Sequence, residues 1–104
     1  MYKPLPTCLT INKSEIEGLG LFATSFIPKD TDLGMTHIFD NRLPDGIIRL
    51  PLGGFFNHSE TPNCKIEEKF YDRKIHIHHL RLVALRDIQP GEEITAYYTL
   101  YQPK

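Results

Sequence analysis

Two glycines near the amino end have the spacing that lets a ligand approach the backbone closely. Gly18 and Gly20 flank Leu19 and precede the apolar residues 21–23. Because glycine has no Cβ, another molecule can pack directly against the main chain at such a position. The G-x-G-x-x-G pattern of a dinucleotide site does not continue from here,. A G-x-G on its own is more often a simple turn, and it identifies no chemistry by itself.

Two further stretches carry groups suited to binding and catalysis. Residues 57–64 read Asn-His-Ser-Glu-Thr-Pro-Asn-Cys and follow Phe55 and Phe56, so hydrogen-bonding side chains stand beside aromatic ones. Residues 91–98 read Gly-Glu-Glu-Ile-Thr-Ala-Tyr-Tyr, and Tyr101 extends this aromatic cluster. Taken alone, the first stretch is typical of a capped turn, and the second is typical of packing in a core or at a sheet edge.

Short β-strands must position these three motifs. Alternating, apolar and β-branched residues predict strands within the segments 8–12, 21–24, 32–39, 65–70, 73–86 and 94–98,. Residues 15–17 are predicted to be extended as well. A turn at Tyr71 and Asp72 predicts a hairpin. Residues 40–46 have loop composition, and residues 51–62 are predicted to be irregular. The sequence therefore predicts a mostly β chain with at most one helical turn.

Length and charge exclude several classes of protein. With 104 residues and 12.0 kDa, the chain is predicted to be one domain spanning 1–104,. Twelve basic and 13 acidic residues give a net charge of -1, so no direct nucleic-acid partner is predicted. No run approaches the roughly 20 apolar residues of a membrane span. Prolines near the amino end argue against a signal peptide and favour an intracellular protein. A homodimer would suit the thin core of so small a chain.

A metal site is an alternative that the sequence supports only weakly. The two cysteines form no C-x-x-C pair, and each is predicted to be a small buried hydrophobe,. His76 and His78 share a strand face at a period of two and invite a metal together with His58 or Cys64. His79 points to the other face of the strand, however, and the polar face of a hairpin would account for histidines at these positions. No metal is predicted.

Together and in this order, the motifs resemble those of SET-domain protein-lysine methyltransferases. The similarity runs through residues 17–23, 57–64 and 85–95 and ends at Tyr98, so it covers nearly the whole chain. Flanking cysteine-rich zinc segments are absent, as in the compact viral and bacterial members. The resemblance implies a mostly β fold of the SET type, a β-clip of small curled sheets with a C-terminal pseudoknot and minimal helix.

The resemblance also implies a cofactor, S-adenosyl-L-methionine, and the residues around it. The implied cofactor site consists of Gly18, Leu19, Gly20, Asn57, His58 and Tyr98. Tyr98 falls on the catalytic tyrosine of the family, and the implied lysine channel is lined by Phe55, Tyr97 and Tyr101. The implied partner is a lysine-containing protein or peptide, which includes histone-like substrates.

The implied reaction needs alignment more than acid–base groups. An in-line displacement moves the methyl group from a sulfonium to a neutral amine, so the site must orient three atoms and favour the uncharged amine. No covalent intermediate and no obligate general-base histidine are expected. A cytoplasmic location is expected, or the host nucleus for a viral protein with a histone substrate.

Two departures from the family pattern keep a second hypothesis open. Tyr97 stands where an acidic residue is common, and Gly54 stands where an arginine is frequent. The insert between Phe39 and Phe55, which helps larger relatives to grip a peptide, is short. These features would suit a non-catalytic SET-like module that binds a peptide or ligand. Retention of Gly18, Gly20, Asn57 and Tyr98 favours the enzyme. The substrate protein and the number of methyl groups added do not follow from the sequence.

Overall fold

A computed structural model describes residues 5–70 and 77–97, which contain short strands and one five-residue helix. The strands are β1 (Leu9–Lys13), β2 (Leu19–Ala23), β3 (Asp32–Phe39), β4 (Ile47–Arg49), β5 (Asn57–His58), β6 (Cys64–Lys69), β7 (His79–Ala84) and β8 (Thr95–Ala96). The helix α1 (Pro51–Phe55) lies between β4 and β5. The predicted mostly β architecture is confirmed. The predicted turn at Tyr71 and Asp72, together with His76, Tyr98 and Tyr101, lies outside the described residues.

The strands form three small sheets. β1 and β2 make an antiparallel pair, and a second sheet has the antiparallel order β4-β3-β7-β6. β5 and β8 pair in parallel, with Asn57 opposite Thr95. The register of β3 against β7 shifts twice, between Asp32 and Gly34 and between Met35 and His37. Such irregularities bend a strand and increase its twist, which gives the sheet the predicted curl.

One hydrophobic core holds the three sheets together. Its largest side chains are almost completely buried: Leu21, Ile27, Phe56, Leu82, Ile88 and Ile94. Ile27 and Ile88 also exchange two backbone hydrogen bonds of 2.8 Å, which join the turns on either side of the core. Cys64 is fully buried and Cys8 packs against the cluster from a partly exposed position. The prediction of a small buried hydrophobe is thus confirmed for Cys64, whereas Cys8 is only partly buried.

The C-terminal segment 91–96 lies between β2 and the residues around β5. On one side, the Ile94 N–H donates to the carbonyl of Leu21 (2.8 Å), and Gly91 donates to Ala23 (2.8 Å). On the other side, β8 pairs with β5, and the Asn63 side chain donates to the carbonyl of Glu93 (2.8 Å). The segment is therefore held by two parts of the chain that are far apart in sequence, which agrees with the predicted C-terminal pseudoknot.

The prediction that residues 51–62 are irregular is wrong. The segment contains α1 and β5. Pro51 stands at the start of the helix, where its missing N–H costs nothing,. Gly53 lets the helix lie against β3, because an added Cβ would come 2.3 Å from the Thr36 carbonyl oxygen. A tertiary contact thus stabilises a helix that its glycines disfavour. No helix in the described part of the chain is long and apolar enough to cross a membrane.

The prediction that residues 15–17 are extended is also wrong. These residues form a bend, and the Ser14 hydroxyl accepts hydrogen bonds from the N–H groups of Ile16 (2.9 Å) and Glu17 (3.3 Å). A serine side chain that bonds to the following backbone competes with strand pairing in this way. The bend directs the chain into Gly18, which adopts a φ of 49°.

Candidate functional site

The side chain of Asn57 joins all three sequence motifs. Its Nδ2 group lies 2.7 Å from Glu93 Oε2, 3.0 Å from Ser14 Oγ and 3.3 Å from the carbonyl oxygen of Glu17. Glu17 directly precedes the glycine motif, and Glu93 belongs to the C-terminal motif. The structure therefore brings the glycine bend, the Asn57 loop and the segment before Tyr98 to one place.

Glu93 lies at the centre of this site, although its sequence position predicted no role for it. The Ser14 hydroxyl lies 2.9 Å from Oε1 and 2.7 Å from Oε2 of its carboxylate. The neighbouring Glu92 instead pairs with Arg86 at 2.8 Å on the surface. Two adjacent glutamates thus have different roles. Nothing in the sequence distinguishes them, because the partners of Glu93 are 36 and 79 residues away.

The two glycines differ in what surrounds them. An added Cβ at Gly20 would lie 2.3 Å from Glu93 Oε2 and 3.1 Å from Ser14 Cβ. Gly20 therefore allows the carboxylate to approach the backbone of β2. Gly18 has a positive φ, and an added Cβ there would meet open space. Leu19 between them is 54% exposed. The group that lies against the backbone at Gly20 is therefore a side chain of the protein itself, and the predicted approach of a ligand stays a prediction.

His58 and Tyr97 form the aromatic side of the site. Their ring centroids lie 4.7 Å apart at an interplanar angle of 54°. The parallel pairing of β5 and β8 sets His58 opposite Ala96, and this register brings Tyr97 beside the imidazole. His58 Nε2 also lies 2.9 Å from a carboxylate oxygen of Glu60. Phe55 packs against the core from a partly buried position. Tyr98 and Tyr101 lie outside the described residues, so the structure leaves their predicted roles untested.

Tyr97 also borders a surface cavity of about 240 Å³. The cavity is lined by Pro62, Cys64, Lys65, Ile66, Leu85 and Tyr97. Burial raises the pKa of the Cys64 thiol to about 12, although the charge of Arg86 acts in the opposite direction. The thiol therefore stays protonated at neutral pH. Because only the thiolate is a strong nucleophile, Cys64 is a packing residue and not a catalytic one.

The histidines near β7 have partners that explain them without a metal. The ring of His78 stacks between Phe39 and Phe70, with centroid distances of 4.0 and 4.3 Å, and its Nε2 contacts Glu68 Oε2 at 2.5 Å. His79 is buried, and its Nδ1 lies 2.8 Å from the carbonyl oxygen of Ile77. Within residues 5–70 and 77–97, no three His, Cys, Asp or Glu side chains are grouped to hold a metal ion.

The nitrogen and the oxygen of the Asn57 amide have different surroundings. Its nitrogen faces the hydroxyl, the carbonyl and the carboxylate described above. In the described part of the chain, no group donates a hydrogen bond to Asn57 Oδ1. Amide oxygens have two lone pairs, so Oδ1 is available to an N–H donor from a bound molecule, such as an ammonium group.

Comparison with solved structures identifies the fold. A Plasmodium falciparum protein described as a candidate histone methyltransferase matches with a TM-score of 0.71 and 23% identity, over 96% of this chain and all of the other. A humanized mutant of the Chaetomium thermophilum Polycomb Repressive Complex 2, bound to an inhibitor, matches with a TM-score of 0.71 and 21% identity. The apo form of the Chaetomium thermophilum complex, in an autoinhibited state, matches with a TM-score of 0.68 and 20% identity. These two matches cover 92% of this chain but only 15% and 16% of the larger chains.

Sequence comparisons add the family. A search of curated protein sequences found no match. The family model of the SET domain matches residues 35–99, which is more than half of the 104 residues. This match contains Asn57, Glu93 and Tyr98. The predicted fold of the SET type is thus confirmed, and the chain belongs to the SET domain family.

Proposed function

We propose that this protein transfers a methyl group from S-adenosyl-L-methionine to the side-chain amine of a lysine in a protein. The main support for the proposal is that the glycine bend, Asn57 and the segment before Tyr98 lie in contact, in a chain of the SET domain family. The names of the structural neighbours, one a candidate histone methyltransferase, support the same activity.

The residues present fit the proposed cofactor. The amino-acid portion of S-adenosyl-L-methionine carries an ammonium group, and Asn57 Oδ1 offers it an acceptor. Open space at Gly18 and the exposure of Leu19 leave the backbone accessible. We assign the cofactor site to Gly18, Leu19, Gly20, Asn57, His58 and Tyr98. When bound, the cofactor supplies an electrophilic methyl group on a sulfonium.

The protein's own part in the reaction is orientation and desolvation. Tyr98 orients the lysine amine through its phenol oxygen, and the aromatic residues Phe55, Tyr97 and Tyr101 line the channel. An apolar channel next to a positive charge lowers the pKa of the incoming amine, so the neutral and nucleophilic form is favoured. Aromatic faces also accommodate a methylated ammonium through cation–π attraction. This mechanism requires no metal and no covalent intermediate on the enzyme.

The proposed partner is a lysine-containing protein or peptide, with a histone tail as one candidate. The proposed location is intracellular, either cytoplasmic or in the nucleus where a histone substrate would be found. A homodimer is also part of the proposal, because a chain of 104 residues buries little apolar surface by itself,.

Two measurements test this function. Titration calorimetry of the purified protein with S-adenosyl-L-methionine should give a saturable binding signal. Incubation with cofactor labelled in the methyl group and a cell lysate should then label specific lysines, which mass spectrometry identifies. A chain that binds no cofactor would instead be a non-catalytic SET-like module. Label found only on side chains other than lysine would contradict the proposed substrate.

A further inference from the structure

The carboxylate of Glu93 has two neighbours that control its position. Ser14 donates its hydroxyl hydrogen to the carboxylate, from 2.9 Å to Oε1 and 2.7 Å to Oε2. Ser14 is itself held, because its oxygen accepts from the N–H groups of Ile16 and Glu17. Gly20 leaves the space that Oε2 occupies, since an added Cβ would lie 2.3 Å from this atom. The carboxylate is thus fixed against β2 rather than free in solvent.

The fixed Glu93 carboxylate determines which end of the Asn57 amide faces it, the nitrogen Nδ2 or the oxygen Oδ1. Glu93 Oε2 and the Glu17 carbonyl oxygen can only accept hydrogen bonds, and both face Nδ2, at 2.7 and 3.3 Å. If the amide turned over, Oδ1 would face these two oxygens, and both lone-pair contacts would be repulsive. A charge-assisted bond to Glu93 is the stronger of the two restraints. The carboxylate therefore keeps Nδ2 facing Glu93 and Glu17, so that Oδ1 remains for a ligand.

From this geometry we infer that Glu93 is a positioning residue: it fixes the Asn57 amide so that Oδ1 receives the α-ammonium of the cofactor. This inference rests on the proposed function, because it needs S-adenosyl-L-methionine or its product at the site. It also explains the glycine at position 20, because a Cβ there would overlap the Glu93 carboxylate. Removal of the carboxylate would let the amide present its own N–H groups to a positively charged ligand.

The test compares two ligands that differ in one group. S-adenosyl-L-homocysteine carries the α-ammonium, and its desamino analogue has hydrogen in that place. We expect Glu93→Leu, which removes the acceptor at similar size, to weaken the first ligand about tenfold, the scale of one hydrogen bond to a charged group. We expect the affinity for the desamino analogue to change less than about twofold. Glu92→Leu is the matched control, because Glu92 pairs with Arg86 on the surface, and both affinities should stay unchanged.

A double-mutant cycle separates positioning from a direct effect of charge. In an Asn57→Ala background, Glu93→Leu should cost no further affinity for S-adenosyl-L-homocysteine, because the residue through which Glu93 acts is missing. An equal loss in both backgrounds would show that Glu93 acts on the ligand directly and would overturn the inference. An equal loss for the two ligands in the single variant would also overturn it, since that result indicates a merely structural role.

A second variant covers the case in which Glu93→Leu does not fold, as judged by circular dichroism. Gly20→Ala inserts a methyl group where Glu93 Oε2 lies, so it should displace the carboxylate and produce the same selective loss. A Gly20→Ala protein that binds both ligands as the parent does would contradict the inference. If the parent itself binds neither ligand, the proposed function fails and this inference fails with it. If the parent binds both and the variants lose both equally, only the inference fails.

Discussion

Asn63 and Thr95 are joined by three hydrogen bonds although they lie 32 residues apart. The Asn63 N–H donates to Thr95 Oγ1 (3.2 Å), while the Thr95 N–H and hydroxyl both donate to Asn63 Oδ1, at 2.9 and 3.4 Å. Asn63 Nδ2 also donates to the carbonyl of Glu93 (2.8 Å). Both residues are buried. Asn63 therefore connects the segment that contains Glu93 to the loop that follows Asn57 through hydrogen bonds.

Replacing Asn63 by alanine should destabilise the protein severely. The substitution leaves the buried Thr95 N–H and the Glu93 carbonyl without partners, and we expect a loss of about 2–4 kcal/mol in the free energy of unfolding. Urea denaturation, monitored by circular dichroism, measures this free energy. Asn41→Ala is the control, since Asn41 is exposed in the loop before β4, and it should change stability by less than about 0.5 kcal/mol. Equal stability of the two variants would contradict the role given to Asn63.

Two adjacent glycines of α1 should respond oppositely to alanine. An added Cβ at Gly53 would lie 2.3 Å from the Thr36 carbonyl oxygen, which is backbone and cannot move easily. Gly53→Ala should therefore destabilise the protein by about 1–3 kcal/mol. At Gly54 the nearest atom, Arg49 Cδ, is 3.6 Å away, so Gly54→Ala should be neutral or stabilise by up to about 1 kcal/mol. Thermal unfolding compares them, and a Gly53 variant as stable as the Gly54 variant would refute this packing of α1 on β3.

The two cysteines should differ in reactivity. Burial raises the pKa of the Cys64 thiol to about 12, whereas Cys8 is partly exposed. At pH 8, iodoacetamide should modify Cys8 in the native protein and leave Cys64 untouched. Both should react once the chain is unfolded in guanidinium chloride, which is the control. Mass spectrometry of peptides gives the extent of modification, and rapid native alkylation of Cys64 would show that the core is open there.

His37 should make the protein less stable at mildly acidic pH. Its pKa is lowered, first by burial and second by the charge of Arg49. The unfolded chain, with a histidine pKa of about 6.5, then binds more protons than the native state does. The free energy of unfolding should therefore fall as the pH drops from about 7 through 6.5, ahead of the range in which carboxylates titrate.

The matched variant for this prediction is His37→Gln, which cannot gain a proton. Urea denaturation at several values of pH between 5.5 and 8 should show a shallower decrease of stability for the variant than for the parent. The comparison concerns the slope, because the substitution also changes the packing beside Gly53. Parallel curves for the two proteins would remove His37 from the acid sensitivity.

Tyr98→Phe should separate folding from catalysis. Loss of the phenol oxygen removes the group proposed to orient the lysine amine, and misplacement of a reacting group by about 1 Å can cost a hundredfold in rate. We expect methyl transfer to fall by about that factor while the thermal midpoint stays within a few degrees. Tyr71→Phe removes the same hydroxyl outside the three motifs and should leave turnover unchanged. Full activity of the Tyr98 variant would exclude this residue from the mechanism.

Local patterns were sufficient to predict most strands. β3 and β6 lie close to the predicted segments 32–39 and 65–70, because apolar and β-branched residues between turn residues favour a strand,. The helix α1 and the strand β4 were not predicted. The helix contains two glycines, and it exists because Gly53 packs on Thr36 of β3. β4 is only three residues long and pairs with β3 after the loop 40–46, so its pattern is too short to recognise.

The sequence alone determined the order and content of the three motifs, and with them the family, because these depend on residue type and spacing. It also indicated that the backbone at the two glycines is open to close approach. Only the tertiary structure decided that the Glu93 carboxylate, and not that of Glu92, lies against Gly20, and that Asn63 bonds to Thr95. These choices depend on contacts between residues 30 or more positions apart, and such contacts form only when the sheets close around one core.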